Sequence, residues 1–256
     1  MTPCDASPLN RLAFVDTVER MLKTMREAWS AMGRGRARWV ERDDVGALVT
    51  PFVPNRSIVN GVVYQPGASV IDAYDWLEEE YAEAEAWTVW APETDTETIA
   101  FLESKGHHLD ADPAMMAIDL RSYAPTLPLP EWKPATVEEL ARINEAAYPW
   151  RDGSMETALL EAAFDDDEFR LYITADACVL GIVDADGDAG VMFVATLPEA
   201  RGRGLAGGLL AAALVQARDR GCDVSTLQAT KMGEPVYARL GYQRLGAMQM
   251  WEKRKA

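Results

Sequence analysis

Four prolines within residues 125–134 mark the middle of this chain of 256 residues. Proline fixes one backbone dihedral and has no N–H donor, so such a segment excludes a helix and favours an extended connector. The length allows one large domain or two ordinary ones. We therefore predict an N-terminal domain at 1–124, a linker at 125–134 and a second domain at 135–256.

The second domain alternates between helix-like and strand-like patterns. Apolar residues recur at helical spacing from Val137 to Tyr148, and Met155 to Phe164 predicts a second helix. The run Val191 to Ala195 is entirely apolar, which is typical of a central strand. A glycine-rich bend and a long helix from about Leu205 to Arg220 follow it. The whole order reads α-α-β-β-β-α-β-α-β-β, which indicates an α/β (α+β) domain.

The bend at residues 200–208 reads ARGRGLAGG and lies between that strand and that helix. Glycines let the backbone approach a ligand closely, and the first turn of a helix presents unpaired N–H groups to an anion. Arg201 and Arg203 add cationic donors for phosphate. The alternative is a tight strand–helix turn with two solvated arginines. The run matches neither the Walker pattern nor the glycine pattern that opens a chain of βαβ units.

Arg201, Gly204 and Ala206 match the pattern Arg-x-x-Gly-x-Ala, which resembles the coenzyme A pyrophosphate loop of the GNAT N-acetyltransferase superfamily. Downstream, the run GEPVYARLGY at 233–242 resembles the closing helix of that family, with Tyr237 four residues before Gly241. The resemblance covers residues 135–256. It implies a mixed, mostly antiparallel central sheet flanked by helices, acetyl-coenzyme A as acyl donor, and no metal.

The resemblance also implies the site. Tyr237 would protonate the departing coenzyme A sulfur, with simple helix packing as the alternative. The backbone N–H of Val194 would bind the developing oxyanion, with Thr196 nearby. Thr230 matches the small polar residue that the family has before its last helix, and capping of that helix is the alternative role. The implied cofactor-binding residues are Val194, Ala195, Thr196, Arg201, Gly202, Arg203, Gly204, Leu205, Ala206, Gly207 and Thr230.

The sequence does not identify a general base. Many family members carry a glutamate on the central strand, but residues 191–195 hold no acid. Asp184 and Glu145 could reach a substrate, yet spacing selects neither, and ordered water or an acceptor of low amine pKa could serve instead. The only histidines, His107 and His108, are interpreted as structural or surface residues. No nucleophile system is indicated.

The leading hypothesis is direct transfer of an acyl group to the amine of a small molecule. A non-catalytic acyl-coenzyme A sensor is the second reading, favoured by the missing strand glutamate and opposed by Tyr237. A protein lysine or N-terminal acetyltransferase is the third. The sequence does not choose among acceptors.

The N-terminal half repeats the order of predicted elements that ends the C-terminal half. Both end in the order strand, helix, glycine, strand, strand, with predicted final strands Tyr242–Leu245 and Met248–Trp251 in the second half. We predict a degenerate second copy of the fold, in tandem, with an unrelated α/β domain as the alternative. Leu102 stands in the place of Tyr237, and no arginine–glycine cradle precedes the predicted helix at Val70. One coenzyme A per chain is therefore expected.

The formal net charge of −16 opposes nucleic-acid binding, since nucleic-acid binders normally carry the reverse sign. Apolar runs are too short to span a bilayer, so no membrane partner is expected. Cys4, Cys178 and Cys222 fit neither a metal site nor a disulfide framework, which favours a reducing cytoplasm. We expect a monomer or homodimer.

Overall fold

The computed structural model describes residues 11–148, 152–165 and 167–255, so Cys4 lies outside the described residues. The helices are α1 (Arg11–Met32), α2 (Val70–Glu80), α3 (Thr96–Ser104), α4 (Val137–Ala147), α5 (Ser154–Leu160), α6 (Leu205–Asp219) and α7 (Glu234–Leu240). The strands are β1 (Arg38–Arg42), β2 (Val45–Val49), β3 (Gly61–Tyr64), β4 (Ala86–Pro92), β5 (His108–Ala111), β6 (Ala114–Asp119), β7 (Lys133–Pro134), β8 (Phe169–Thr174), β9 (Cys178–Ala185), β10 (Asp188–Thr196), β11 (Val224–Ala229) and β12 (Gln243–Arg254).

The strands form one sheet in the order β1-β2-β3-β4-β12-β6-β11-β10-β9-β8-β7, with β5 paired to β12. Two pairs are parallel, β3 with β4 and β10 with β11, and the other pairs are antiparallel. The predicted mixed, mostly antiparallel sheet is confirmed. The apolar run at 191–195 lies in β10, between β9 and β11, as its composition predicts.

Two predicted element boundaries were wrong. The helix expected to reach Phe164 ends at Leu160, because Glu161 O instead accepts a hydrogen bond from Arg36 N at 3.0 Å. The two final strands are one continuous strand, β12. Its pairing with β6 shifts register at Gly246, which has a φ of +154°, and the strand continues beyond it against β4 and β5.

The two halves of the chain exchange their last strands. Strand β6 comes from before the linker, yet it pairs with β11 of the C-terminal half and with residues 243–247 of β12. Residues 248–254 of β12 in turn lie between β4 and β5 of the N-terminal half. Each half therefore completes the sheet of the other. The division at 125–134 stays a prediction, but it does not separate two independent sheets.

Helix α1 joins the halves on one face of the sheet. Its Thr24 Oγ1 donates to Asp188 Oδ2 at 2.9 Å, and Thr226 Oγ1 donates to the same oxygen at 2.6 Å. Asp188 is fully buried, and burial raises the pKa of its carboxyl to about 7. Arg20 Nη1 adds a bond to Asp223 Oδ1 at 2.7 Å. The starting ends of β10 and β11 are thus held beneath α1.

The linker lies against helix α6 rather than standing free of it. A Cβ atom added at Gly207 would lie 3.3 Å from Leu127 Cδ1, and one at Gly208 would lie 3.2 Å from Pro130 Cδ. Glycine inside a helix costs about 0.5–1 kcal/mol relative to alanine, and here its small size allows the close approach. No helix among the described residues is both long and apolar enough to cross a membrane.

Candidate active site

The site begins where the two parallel strands of the C-terminal half separate. Strands β10 and β11 pair over four positions, from Asp188 with Val224 to Val191 with Leu227. Beyond this point β10 bulges, because its register against β9 shifts between Met192 and Ala195 and Phe193 takes a φ of +52°. No further pairing between β10 and β11 is found in the described chain. A gap therefore opens between their carboxyl ends.

The bulge distributes side chains between the two faces of the sheet. Met192 and Phe193 pack against the core formed with α1, α4 and α5, whereas Val194 packs against the core formed with α6 and α7. Buried Asn144 of α4 donates from Nδ2 to Phe193 O at 3.3 Å. The backbone predicted to bind the oxyanion therefore lies in an irregular, braced segment at the edge of the gap.

A loop rich in positive-φ glycine connects β10 to α6. Gly202 and Gly204 have φ of +74° and +77°, and each faces open space. Gly204 caps α6 without a side-chain bond, no acid stands in the first turn, and the first helical bond runs from Gly208 N to Gly204 O. The N–H groups of residues 205–207 therefore lack helical acceptors. This is the geometry that the predicted anion cradle requires.

The two arginines of the loop have different surroundings. Arg201 Nε donates to Thr196 O at 3.2 Å, and its Nη2 donates to Ala147 O at 2.6 Å. Arg203 is exposed, and the described residues offer it no hydrogen bond or ion pair. Sequence reasoning treated both as phosphate donors. In the structure two backbone carbonyls accept from Arg201, and the phosphate role of both arginines stays a prediction.

Tyr237 of α7 belongs to the same apolar cluster as Val194 of β10. It is 9% exposed, and its ring packs 6.0 Å from that of Tyr242. Burial raises the pKa of its hydroxyl well above the ordinary value, and nearby Tyr148 and Cys178 raise it further. The phenol of α7 therefore lies near the end of α4 and near β9, and it remains protonated at neutral pH.

Smaller polar groups complete this end of the gap. Thr196 Oγ1 donates to Cys178 Sγ at 3.1 Å, and burial raises the pKa of that thiol to about 11, which leaves it a poor nucleophile. Thr230 Oγ1 accepts from Gly233 N at 3.2 Å. That bond closes the turn before α7, whose N-cap is Gly233, and the contact of Thr230 with a cofactor stays a prediction.

Neither candidate base faces the gap as a free carboxylate. Asp184 is paired with Arg170 at 3.2 Å and with Arg220 at 2.6 Å. Glu145 accepts from the backbone N–H groups of Gly153, Met155 and Glu156 and so caps the start of α5. Both carboxylates therefore have structural roles.

His107 is structural, as predicted. Its Nδ1 lies 2.9 Å from Trp251 O and its Nε2 lies 3.0 Å from Tyr74 Oη. Burial lowers the pKa of His107 to about 4, so the ring is neutral. His108 is exposed on β5. Among the described residues no group of His, Cys, Asp and Glu could hold a metal ion.

Sequence reasoning missed Asn144 and Tyr148, which both contribute to this site. Asn144 is fully buried although it is polar, and it lies between the apolar positions Ile143 and Ala147 of α4. A buried amide on an apolar helix face is the signal that could have found it. Tyr148 lies at the helix end, where spacing carries no information.

The site combines a parallel strand pair that separates at a bulge, a glycine-rich loop that opens a helix, and the buried phenol of Tyr237. Residues 133–245 match the family model described as an acetyltransferase (GNAT) domain. This segment is therefore similar to GNAT acetyltransferase domains.

Solved structures support the same fold. A GCN5-related N-acetyltransferase from Kribbella flavida superposes with a TM-score of 0.63 at 17% identity, over 93% of this chain and 96% of that one. A second such enzyme, from Sphaerobacter thermophilus, gives 0.55 at 19% identity, over 82% and 76%. A tandem GNAT protein from the clavulanic acid biosynthesis pathway gives 0.55 at 14%, over 82% and 78%. A search of curated proteins finds no match.

Proposed function

We propose that this protein transfers an acyl group, in the first instance acetyl, from coenzyme A to the amine of a small molecule. The observation that carries the proposal is the glycine cradle at the start of α6, which opens beside the gap between β10 and β11. A diphosphate at the cradle would direct the pantetheine arm into that gap. The buried phenol of Tyr237, which shares an apolar cluster with Val194, would then lie close to that arm.

The chemistry follows from these positions. The neutral amine attacks the thioester carbonyl, a C–N bond forms and the C–S bond breaks. The N–H of Val194 at the bulge would stabilise the oxyanion, and Tyr237 would give its proton to the departing sulfur. The amine proton leaves to water, because Asp184 and Glu145 are held elsewhere. Direct transfer needs no enzyme nucleophile, which agrees with the protonated thiol of Cys178.

An acceptor screen tests this function. Purified protein is mixed with acetyl-coenzyme A and a panel of amines that includes polyamines, amino acids, aminoglycosides and lysine peptides, and thiol release is measured. We expect release with at least one small amine. Release only with peptides would favour the protein-modifying alternative. Tight coenzyme A binding with no release for any amine would favour the sensor.

We also propose that the N-terminal half is a degenerate copy of the fold that binds no coenzyme A. It repeats the parallel pair as β3 with β4 and shares strands reciprocally with the other half. Its corresponding helix, α2, is already capped by Ser69, whose Oγ accepts from Asp72 N at 3.1 Å. The carboxylate of Asp72 in the first turn would also repel a phosphate.

One coenzyme A should therefore bind per chain. Calorimetric titration of the full chain with acetyl-coenzyme A should give a stoichiometry of about one. The reason is that the start of α6 combines free N–H groups with the nearby cation of Arg203, whereas the start of α2 is capped by Ser69. A stoichiometry of about two, or a liganded crystal with the cofactor beside α2, would contradict the degenerate-copy proposal. Either result would leave the acyl-transfer proposal standing.

A further inference from the structure

Arg201 connects two elements that meet beside the gap. Its Nε donates to the carbonyl of Thr196, the last residue of β10, and its Nη2 donates to the carbonyl of Ala147, the last residue of α4. A cation at the carboxyl end of a helix is favourable, because the last carbonyls carry partial negative charge. Each bond joins the loop before α6 to the end of a secondary-structure element.

Asn144 makes a second connection between the same elements. Its Nδ2 donates to Leu140 O at 3.0 Å and to Phe193 O at 3.3 Å. The bulged segment 193–196 is therefore held against α4 at both of its ends. This segment includes Val194, whose N–H is proposed above to bind the oxyanion.

The same bonds leave Arg201 only the Nη1 and Nη2 edge of its guanidinium for a phosphate. A guanidinium binds phosphate best through two parallel N–H groups, and the edge formed by Nε and Nη2 is one such pair. In this protein each of those two nitrogens already donates to a backbone carbonyl. Breaking both bonds would leave Ala147 O and Thr196 O without this donor.

We propose that Arg201 is a positioning residue, which fixes the bulged end of β10 and the last turn of α4, while Arg203 and the N–H groups of the cradle meet the diphosphate. The proposal rests on the proposed function and deepens it. Tyr148 follows Ala147 directly and lies near Tyr237, so the same brace places a second phenol at the gap. The role differs from the phosphate contact that the sequence resemblance implies.

The test compares Arg201→Gln with Arg203→Gln. For each we measure the Kd of coenzyme A by calorimetry, kcat and the KM of an amine found in the screen, and amide hydrogen exchange at residues 144–148 and 193–197. Arg142→Gln is the matched control, because it removes another arginine–carbonyl bond of α4, which runs to Asp176 O at 3.3 Å in the turn between β8 and β9 rather than to β10. Arg201→Lys keeps the charge but loses the planar fork.

We expect the Kd of coenzyme A for Arg201→Gln to lie within about threefold of the wild-type value, and amide exchange to be faster in both segments. Its kcat/KM for the amine should fall about tenfold or more, because small misplacements near the reacting atoms are costly. Arg203→Gln should weaken coenzyme A binding about tenfold with unchanged exchange, as expected for loss of a charge-assisted contact. If Arg201→Gln does not fold, Arg201→Lys decides. The brace predicts faster exchange and lower kcat/KM for the lysine variant, and a phosphate ligand predicts near wild-type behaviour.

Equal loss of coenzyme A affinity in Arg201→Gln and Arg203→Gln, with wild-type exchange in both, would overturn the proposal. Faster exchange in Arg142→Gln to the same extent would also overturn it, because the effect would then belong to α4 in general. If wild type releases no thiol with any amine, the proposed function fails. Affinity and exchange still decide the role of Arg201 in that case.

Discussion

Replacing Gly204 by valine should weaken the binding of acetyl-coenzyme A by about a hundredfold or more. Gly204 precedes α6 with a φ of +77°, a conformation that valine enters only at a cost of about 1–2 kcal/mol. The new side chain would stand in the open space through which a phosphate approaches. Loss of two charge-assisted N–H contacts, each about 1.5–3 kcal/mol, accounts for the size of the effect.

Gly67→Val is the matched control for this experiment. Gly67 has a φ of +89° and equally open surroundings, but it lies before α2 in the other half of the chain. Both variants should lose a few degrees of thermal stability, and calorimetry should show weaker binding for Gly204→Val alone. A folded Gly204→Val variant with wild-type affinity would refute the placement of the cradle. A loss in Gly67→Val would instead implicate the N-terminal half.

Removing the hydroxyl of Tyr237 should abolish most turnover while leaving cofactor binding intact. General acid catalysis contributes about a hundredfold to ten-thousandfold in rate, so kcat of Tyr237→Phe should fall by that range. Affinity for coenzyme A should stay within a few-fold of wild type, because the diphosphate cradle is untouched. Single-turnover thiol release under saturating substrates measures the chemical step directly.

Tyr242→Phe controls for the loss of a buried phenol. Tyr242 Oη lies 2.7 Å from Ser225 Oγ, and the tyrosine packs beside Tyr237. This variant should lose about 1 kcal/mol of stability but keep its turnover. Equal single-turnover rates for wild type and Tyr237→Phe would show that another group protonates the sulfur.

The pH profile offers a further check on Tyr237. Burial raises its pKa, so the hydroxyl keeps its proton above the ordinary tyrosine value of about 10. The acid form is therefore fully present at lower pH and is lost only as pH rises through the raised value. We therefore expect that deprotonation of Tyr237 does not lower the kcat of the wild-type protein below about pH 10.

Local pattern alone determined much of this protein. The apolar run at 191–195, the glycines of the following loop and the helical spacing after Leu205 predicted a strand, a glycine-rich bend and a helix, and the structure has all three. These features depend on backbone conformations and periodicities within about twenty residues. Their agreement with a known motif was enough to indicate the family before any contact was seen.

The tertiary structure decided which partners these elements have. The exchange of β6 and β12 between the halves joins residues more than a hundred positions apart, as in the pairing of Thr226 with Ala117, and no local period encodes it. Arg201 shows the same limit at a single residue. Its motif predicts a phosphate donor, but the carbonyls of Ala147 and Thr196 accept two of its five N–H groups. Side-chain donors bind whichever acceptors folding brings within reach, and that choice depends on the packing of α4 against β10.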